Sequence, residues 1–224
     1  MGIPERKERE FLRREQEILD VALALFRRDD WQSVTMEEIA QSAEIGKGTV
    51  YKHFPSKEDI YARLALDFNS RLLERLRGIN PEMGVLDRLR AIIRAFWEFH
   101  LQSQDYHRLV QYCGREDLRR NITEETRDTI RALDQEFNVL VTSLVQEGIE
   151  GGLFPGHKPV GILLFGPQAA LFGAIHMVWS GCLASGDPEE YLAEITEFII
   201  SGLTHPEITR ENSQRRAIGS SQPD

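Results

Sequence analysis

Apolar residues recur along this chain with the three- and four-residue spacing of amphipathic helices. Ile18, Val21, Ala22, Leu25 and Phe26 fall on one face of a helix expected over residues 7–28. Ile60, Leu64, Phe68, Leu72 and Leu76 repeat every four residues, and Gly78 with Pro81 supplies the stop. A third stripe is Leu86, Leu89, Ile93, Phe96, Trp97 and His100; a fourth, longer one runs from Ile130 through Leu133, Phe137, Leu140, Val141 and Leu144 to Val145, closed by Gly148–Gly152. Asp187-Pro188-Glu189-Glu190 reads as a further helix start, with Pro at the first helical position and acids over the positive end of the dipole. That helix turns Tyr191, Leu192, Ile195, Phe198 and Ile199 inward. No segment alternates with period two for long enough to be a strand, so the expected fold class is all-α.

Between the first two stripes lies a segment with different punctuation. Thr35 and Glu38 form a capping box, so a helix begins at Met36 and turns Ile39, Ala40 and Ala43 toward the core. After a turn at Glu44-Ile45-Gly46 comes a second short helix with Val50 and Phe54 buried, ended by Pro55; Ser56 and Asp59 then make another capping box. Two short helices around a tight turn, braced by flanking helices, are the layout of a helix-turn-helix, whose second helix lies in the major groove of DNA. Ala40 is the small residue that a steep helix crossing needs, and Lys47, Gly48, Thr49, Tyr51, Lys52 and His53 are left to face outward.

At these residues the chain resembles the TetR family of transcriptional regulators: Thr35-x3-Ile39-Ala40-x2-Ala43, then Gly48-Thr49-Val50-Tyr51-Lys52-His53-Phe54-Pro55-Ser56-Lys57-Glu58. The resemblance implies an all-α homodimer, with an N-terminal three-helix helix-turn-helix domain joined to a larger, divergent C-terminal helical domain that binds a small molecule and dimerises. By similarity, Thr35, Tyr51, His53 and Lys57 match positions that touch phosphates and set register, while Lys47, Gly48, Thr49 and Lys52 lie where base edges are reached. Two residues depart from the pattern. Glu44 stands where the family turn usually carries Gly, and Gly46 replaces the usual Ser or Thr cap.

Charge first speaks against nucleic acid: the 224 residues carry 27 Lys and Arg against 36 Asp and Glu, a formal net charge of −9. Residues 46–57, however, hold Lys47, Lys52 and Lys57 and no acid, so the expected groove face is locally basic. The total bears on solubility and the twelve-residue window on function.

Other chemistry finds little footing. Cys113 and Cys182 show no pairing pattern, which suits a reduced, cytoplasmic protein, and residues 1–7 lack the apolar run of a signal peptide. His100, His107 and Cys113 have spacings that match neither a helical zinc pair nor a knuckle, so no metal and no cofactor are expected. Gly46-Lys47-Gly48-Thr49 lacks the spacing and preceding strand of a phosphate loop, and no nucleophile elbow or paired carboxylate suggests an enzyme. Residues 159–186 contain no charged side chain, long enough to span a bilayer; but Pro167, Gln168, His176 and five glycines favour a buried or dimer-forming helix and no membrane. Gly166, Ala169, Ala170, Gly173 and Ala174 would let another helix approach closely, and residues 160–184 with 188–204 resemble the family's dimerising pair. Given the resemblance, the aromatic residues Trp97, His100, Tyr106, His107, Tyr112 and His176 are the expected lining of a ligand pocket, suited to an apolar or amphipathic effector.

The expected organisation is therefore a DNA-binding domain over 1–57, a ligand-binding and dimerisation domain over 58–204 and a flexible tail over 205–224. The expected function is a ligand-responsive repressor, released from a palindromic double-stranded DNA operator by a small molecule. Two other readings compete: a helical metal-binding or enzymatic protein retaining the N-terminal fold, and a ligand-independent DNA-binding protein.

Overall fold

The computed structural model describes residues 3–182 and 186–204, and these described residues form ten α-helices and one 3₁₀ turn. No strand occurs among the described residues. The polar stretch 205–224, expected as a flexible tail, lies outside them.

Helix α1 (Ile3–Phe26) starts earlier than its apolar stripe requires, because its first turns are polar and largely exposed, and it buries Ile18, Leu19, Ala22 and Phe26. A 3₁₀ turn at Trp31–Ser33 leads into α2 (Met36–Ser42) and α3 (Lys47–His53). Two seven-residue helices are too short to hold themselves in water. They are held by packing: Ile39 and Ala40 of α2 and Val50 of α3 are buried in one cluster with α1 and with Ile60, Tyr61 and Leu64 of α4 (Lys57–Arg77). To the same cluster belong Leu109 and Cys113 of α6 (Gln104–Cys113), Leu118 of α7 (Glu116–Asn121) and Ile122. These two helices were not foreseen from periodicity, being short and interrupted by Gly114.

The second cluster gathers Leu89, Ile93 and Trp97 of α5 (Val85–Leu101), Leu144 and Val145 of α8 (Glu124–Glu150), Phe154, and the inner faces of α9 (Val160–Trp179) and α10 (Pro188–Thr204). Near the end of α8 a Cβ at Gly148 would stand 2.3 Å from two carbons of the Phe154 ring, so glycine lets Phe154 fold back onto the helix at this point. Helix α9 runs through Pro167 and is apolar on every side. Leu163, Leu164, Leu171 and Ile175 are buried, yet Ile162, Phe165, Phe172 and Met177 are exposed, as is Phe198 of α10. By length and composition α9 could cross a bilayer.

Two compact units result, one from Met1–Leu72 with Ser103–Gln135 and the other from Leu73–Gln102 with Glu136–Asp224. This grouping differs from the contiguous division expected after Lys57: α4 and α8 each belong to one unit at their start and to the other at their end.

Candidate nucleic-acid interface

The turn between α2 and α3 is set by hydrogen bonds that the backbone alone supplies. Ile45 N–H donates to Ala40 C=O at 3.0 Å and Glu44 N–H to Gln41 C=O at 3.1 Å, the paired bonds of a Schellman motif. That motif needs a left-handed residue, and Glu44 adopts it with φ of +54°. At the start of α2 both halves of the expected capping box are present: Thr35 accepts from Glu38 N–H, and the Glu38 carboxylate accepts from Thr35 N–H. Helix α3 has a weaker start, because Gly46 offers no side chain to its first turn.

On the outer face of α3, Lys47, Gly48, Tyr51 and Lys52 are exposed and Thr49 is half-buried. A Cβ at Gly48 would meet nothing within 4 Å, so the protein itself does not demand a glycine there. Lys47 is not a free cation. Its ammonium lies 3.0 Å from the Glu37 carboxylate on α2. Lys52 carries no ion pair among the described residues.

His53 closes α3 with its ring tilted over Phe11 of α1, centroids 4.1 Å apart, and its buried Nδ1 has no hydrogen-bond partner. Burial pushes its pKa below the ordinary histidine value, a nearby Glu15 charge opposing the shift, so the ring is neutral at pH 7. Thr35, expected at a phosphate, spends its hydroxyl oxygen on the helix cap while remaining exposed.

Lys57 turns inward. Its ammonium donates to the carbonyls of Gln32 at 2.7 Å and Val34 at 3.0 Å, tying the start of α4 to the loop that leads into α2. Asp59 makes only half of the expected capping box, because its carboxylate accepts from the Ser56 hydroxyl and not from the Ser56 N–H. Ser56 Oγ does accept from Asp59 N–H at 3.0 Å, but the carboxylate reaches the far side of the sequence and binds Thr123 and Thr126. Composition hides such a role; a Thr-x-x-Thr step opening a helix was the available clue.

The six residues expected to bind ligand divide between the two units. Tyr106 stacks on Phe68, centroids 4.7 Å apart, and Tyr112 packs edge-on against Trp31 and Tyr61, inside the core that supports the helix-turn-helix. His107 is buried there with Gln111 Nε2 3.0 Å from its Nε2. Trp97, His100 and His176 belong to the other unit. Trp97 and His100 are buried and His176 is exposed. His100 sits against the rings of Phe96 and Phe172, and its carbonyl accepts from Trp179 Nε1. The Trp97 indole N–H is buried without a partner. Among the described residues no group of three His, Cys, Asp or Glu is placed to hold a metal ion.

A capped α2, a left-handed turn, an α3 with an outward polar face and a bracing α1 and α4 define a helix-turn-helix DNA-binding regulator. The chain belongs to the TetR family: residues 18–64 match the family model for bacterial regulatory proteins of the tetR family, and residues 82–180 match the tetracyclin repressor-like C-terminal domain. It is 26% identical over 142 residues to the HTH-type transcriptional repressor KstR2 of Mycobacterium tuberculosis, covering 63% of this chain and 69% of that protein. The HTH-type transcriptional repressor KstR of Rhodococcus jostii is 35% identical over 83 residues, 36% of this chain and 37% of its own. Among solved structures, the fatty acid degradation regulator FadR from Bacillus halodurans superposes with a TM-score of 0.68 at 20% identity, over 86% of this chain and 97% of that one. FadR from Bacillus subtilis in complex with stearoyl-CoA gives 0.68 at 18% identity, over 84% and 98%. The protein is thus an all-α, DNA-binding transcriptional regulator.

Proposed function

We propose that the chain is a cytoplasmic homodimeric repressor, released from a palindromic operator by an apolar or amphipathic small molecule, and that it acts by binding alone, without catalysis. The observation that carries the reading is α3 itself: a short helix presented on a Schellman turn, with Lys52, Tyr51 and Gly48 outward and Val50 locked in the core. Thr35, Tyr51 and His53 contribute to the phosphate side of the interface. Lys47, Gly48, Thr49 and Lys52 contribute to the groove side, Lys47 after exchanging its Glu37 partner for DNA. Lys57 acts by holding the chain ahead of α2.

The dimer reading is supported by Ile162, Phe165, Phe172 and Met177 of α9 and Phe198 of α10, large apolar side chains left exposed. A groove of about 440 Å³ beside them is floored by Gly166, Ala170 and Gly202, small residues that admit a side chain from a second copy. For the effector, support lies in a groove of about 330 Å³ lined by Trp97, Ala174, Met177, Tyr191 and Ile195, next to a buried indole N–H in need of an acceptor. A mainly apolar wall that carries one donor and also Glu194 suits a molecule with a hydrocarbon body and a carbonyl or hydroxyl group, and a long-chain acyl thioester is the first candidate because a FadR of the same fold holds stearoyl-CoA.

The test begins with selection of bound duplexes from a random pool, followed by fluorescence anisotropy on the winner. A palindromic consensus bound by a species of twice the chain mass supports the reading. Failure to enrich any sequence at low salt overturns it. Addition of stearoyl-CoA then separates the effector class: release of DNA and a raised Tm support an acyl ligand, and no change in either removes that class.

A further inference from the structure

We propose that Asp59 is a positioning residue for the DNA-binding element, locking the first turn of α4 to the start of α8 so that Lys57 can hold the chain leading into α2. Asp59 is only 4% exposed. Its Oδ1 accepts from Thr123 N–H at 3.1 Å, Thr123 Oγ1 at 3.0 Å and Thr126 Oγ1 at 2.7 Å; its Oδ2 accepts from Ser56 Oγ at 2.6 Å. Two residues earlier, the Lys57 ammonium holds the carbonyls of Gln32 and Val34. Val34 directly precedes Thr35, the cap of α2. From Thr126 to Thr35 the connection therefore runs through hydrogen bonds and a single turn of helix, with no flexible loop in between.

The donors argue for positioning over simple charge neutralisation. An ion pair tolerates sliding, whereas hydroxyl and amide donors hold a carboxylate only in a narrow range of distance and angle. A carboxylate this buried is costly once a donor withdraws, so the starts of α4 and α8 move together. Capping α4 would not need this arrangement, because Ser56 already accepts the Asp59 N–H at 3.0 Å. Instead the side chain reaches a helix 64 residues further along the sequence. Helix α8 then continues from the unit that contains the helix-turn-helix into the other unit. The orientation of α8 thereby becomes an input to the seating of α2 and α3. That regulatory consequence rests on the ligand-responsive reading above; the link itself does not.

The decisive variants lie on α8, away from α2 and α3. In the full chain, Thr126→Val removes one donor and keeps the shape, while Thr126→Ser keeps the donor. Hydrogen exchange is followed by mass spectrometry, with anisotropy on the selected duplex. Thr126→Val is expected to speed exchange across residues 36–54 roughly tenfold, the factor for one lost charge-assisted hydrogen bond, and to weaken DNA binding several-fold. Residues 85–101 keep their rates, and Thr126→Ser restores both readouts. Faster exchange confined to residues 56–60 and 121–127 overturns the proposal, as does a uniform rise over both units, which would mark Asp59 as a stability residue only. Asp59→Asn is expected to match Thr126→Val; should it fail to fold, the Thr126 pair still decides. If no duplex is selected, the regulator reading fails, and the exchange data alone decide whether the link holds.

Discussion

The ammonium of Lys47 on the recognition helix lies 3.0 Å from the carboxylate of Glu37 on the helix before it, so one of the three lysines of the basic window is already paired before DNA arrives. Both side chains are exposed, at 52% and 72%. Such a pair adds little to stability, and its main effect is on what Lys47 can reach. Glu37→Gln is expected to leave the Tm within a degree or two and to tighten DNA binding. Because Lys47 reaches DNA in both proteins, the gain should appear as tighter binding at each salt concentration with a nearly unchanged slope of log K against log salt, measured by anisotropy between 50 and 200 mM salt.

Lys52 and Lys57 should separate cleanly. Lys52→Ala removes an exposed cation and is expected to flatten the salt slope by about 0.9 with unchanged stability. Lys57→Ala leaves two carbonyls without their donor and is expected to lower stability by about 1–2 kcal/mol in urea unfolding, with a smaller effect on the slope.

Glu44 holds a left-handed conformation with φ of +54° in the turn between the two helices. A side chain there costs roughly 1 kcal/mol relative to glycine, while glycine enlarges the entropy of the unfolded chain. Glu44→Gly is therefore expected to raise stability by about 0–0.6 kcal/mol and to strengthen DNA binding by removing an acid from the turn, both read on the same preparation.

Gly48 gives the opposite separation. A Cβ there meets nothing in the free protein, and alanine favours a helix over glycine by about 0.8–1.0 kcal/mol. Gly48→Ala should raise the Tm yet weaken operator binding, because the added methyl stands between the helix backbone and the groove. Equal or better binding would remove Gly48 from the interface.

Asp59 sets a pH signature. Burial raises the pKa of its carboxyl, but hydrogen bonds from Ser56, Thr123 and Thr126 outweigh that and hold it below the ordinary carboxylate value. The folded pKa is thus depressed relative to an unfolded value of about 3.9. Between the two values the unfolded chain binds a proton that the folded chain does not, so this stabilisation is complete above the unfolded value and is lost as pH falls through the folded one. The stability difference between the native chain and Asp59→Asn should be constant above pH of about 5 and shrink on acidification below about 4.

The same residues show how far the sequence reaches. Thr35 with Glu38, the buried pair Ala40 and Val50, and the four-residue repeat from Ile60 to Leu76 are local patterns whose meaning depends on neighbours three to ten positions away, and each was legible because helical geometry is periodic. Helices α6 and α7 were missed: ten and six residues, broken at Gly114, are too short for a period to show. The resemblance suggests one aromatic ligand set, yet Tyr112 braces Trp31 and Tyr61, in a different unit from Trp97.

By itself, then, the sequence determined the helical class, the capped helix-turn-helix, the family and four exposed positions of α3, Lys47, Gly48, Tyr51 and Lys52, but not the packing of His53 on Phe11, because backbone hydrogen bonding and side-chain periodicity are short-range. Only the tertiary structure decided which charges are available. Lys47 meets Glu37, Lys57 turns to Val34, and Asp59 meets Thr123 and Thr126, because hydrogen-bond partners are chosen by distance in space, and a separation of 64 residues leaves no periodic trace along the chain.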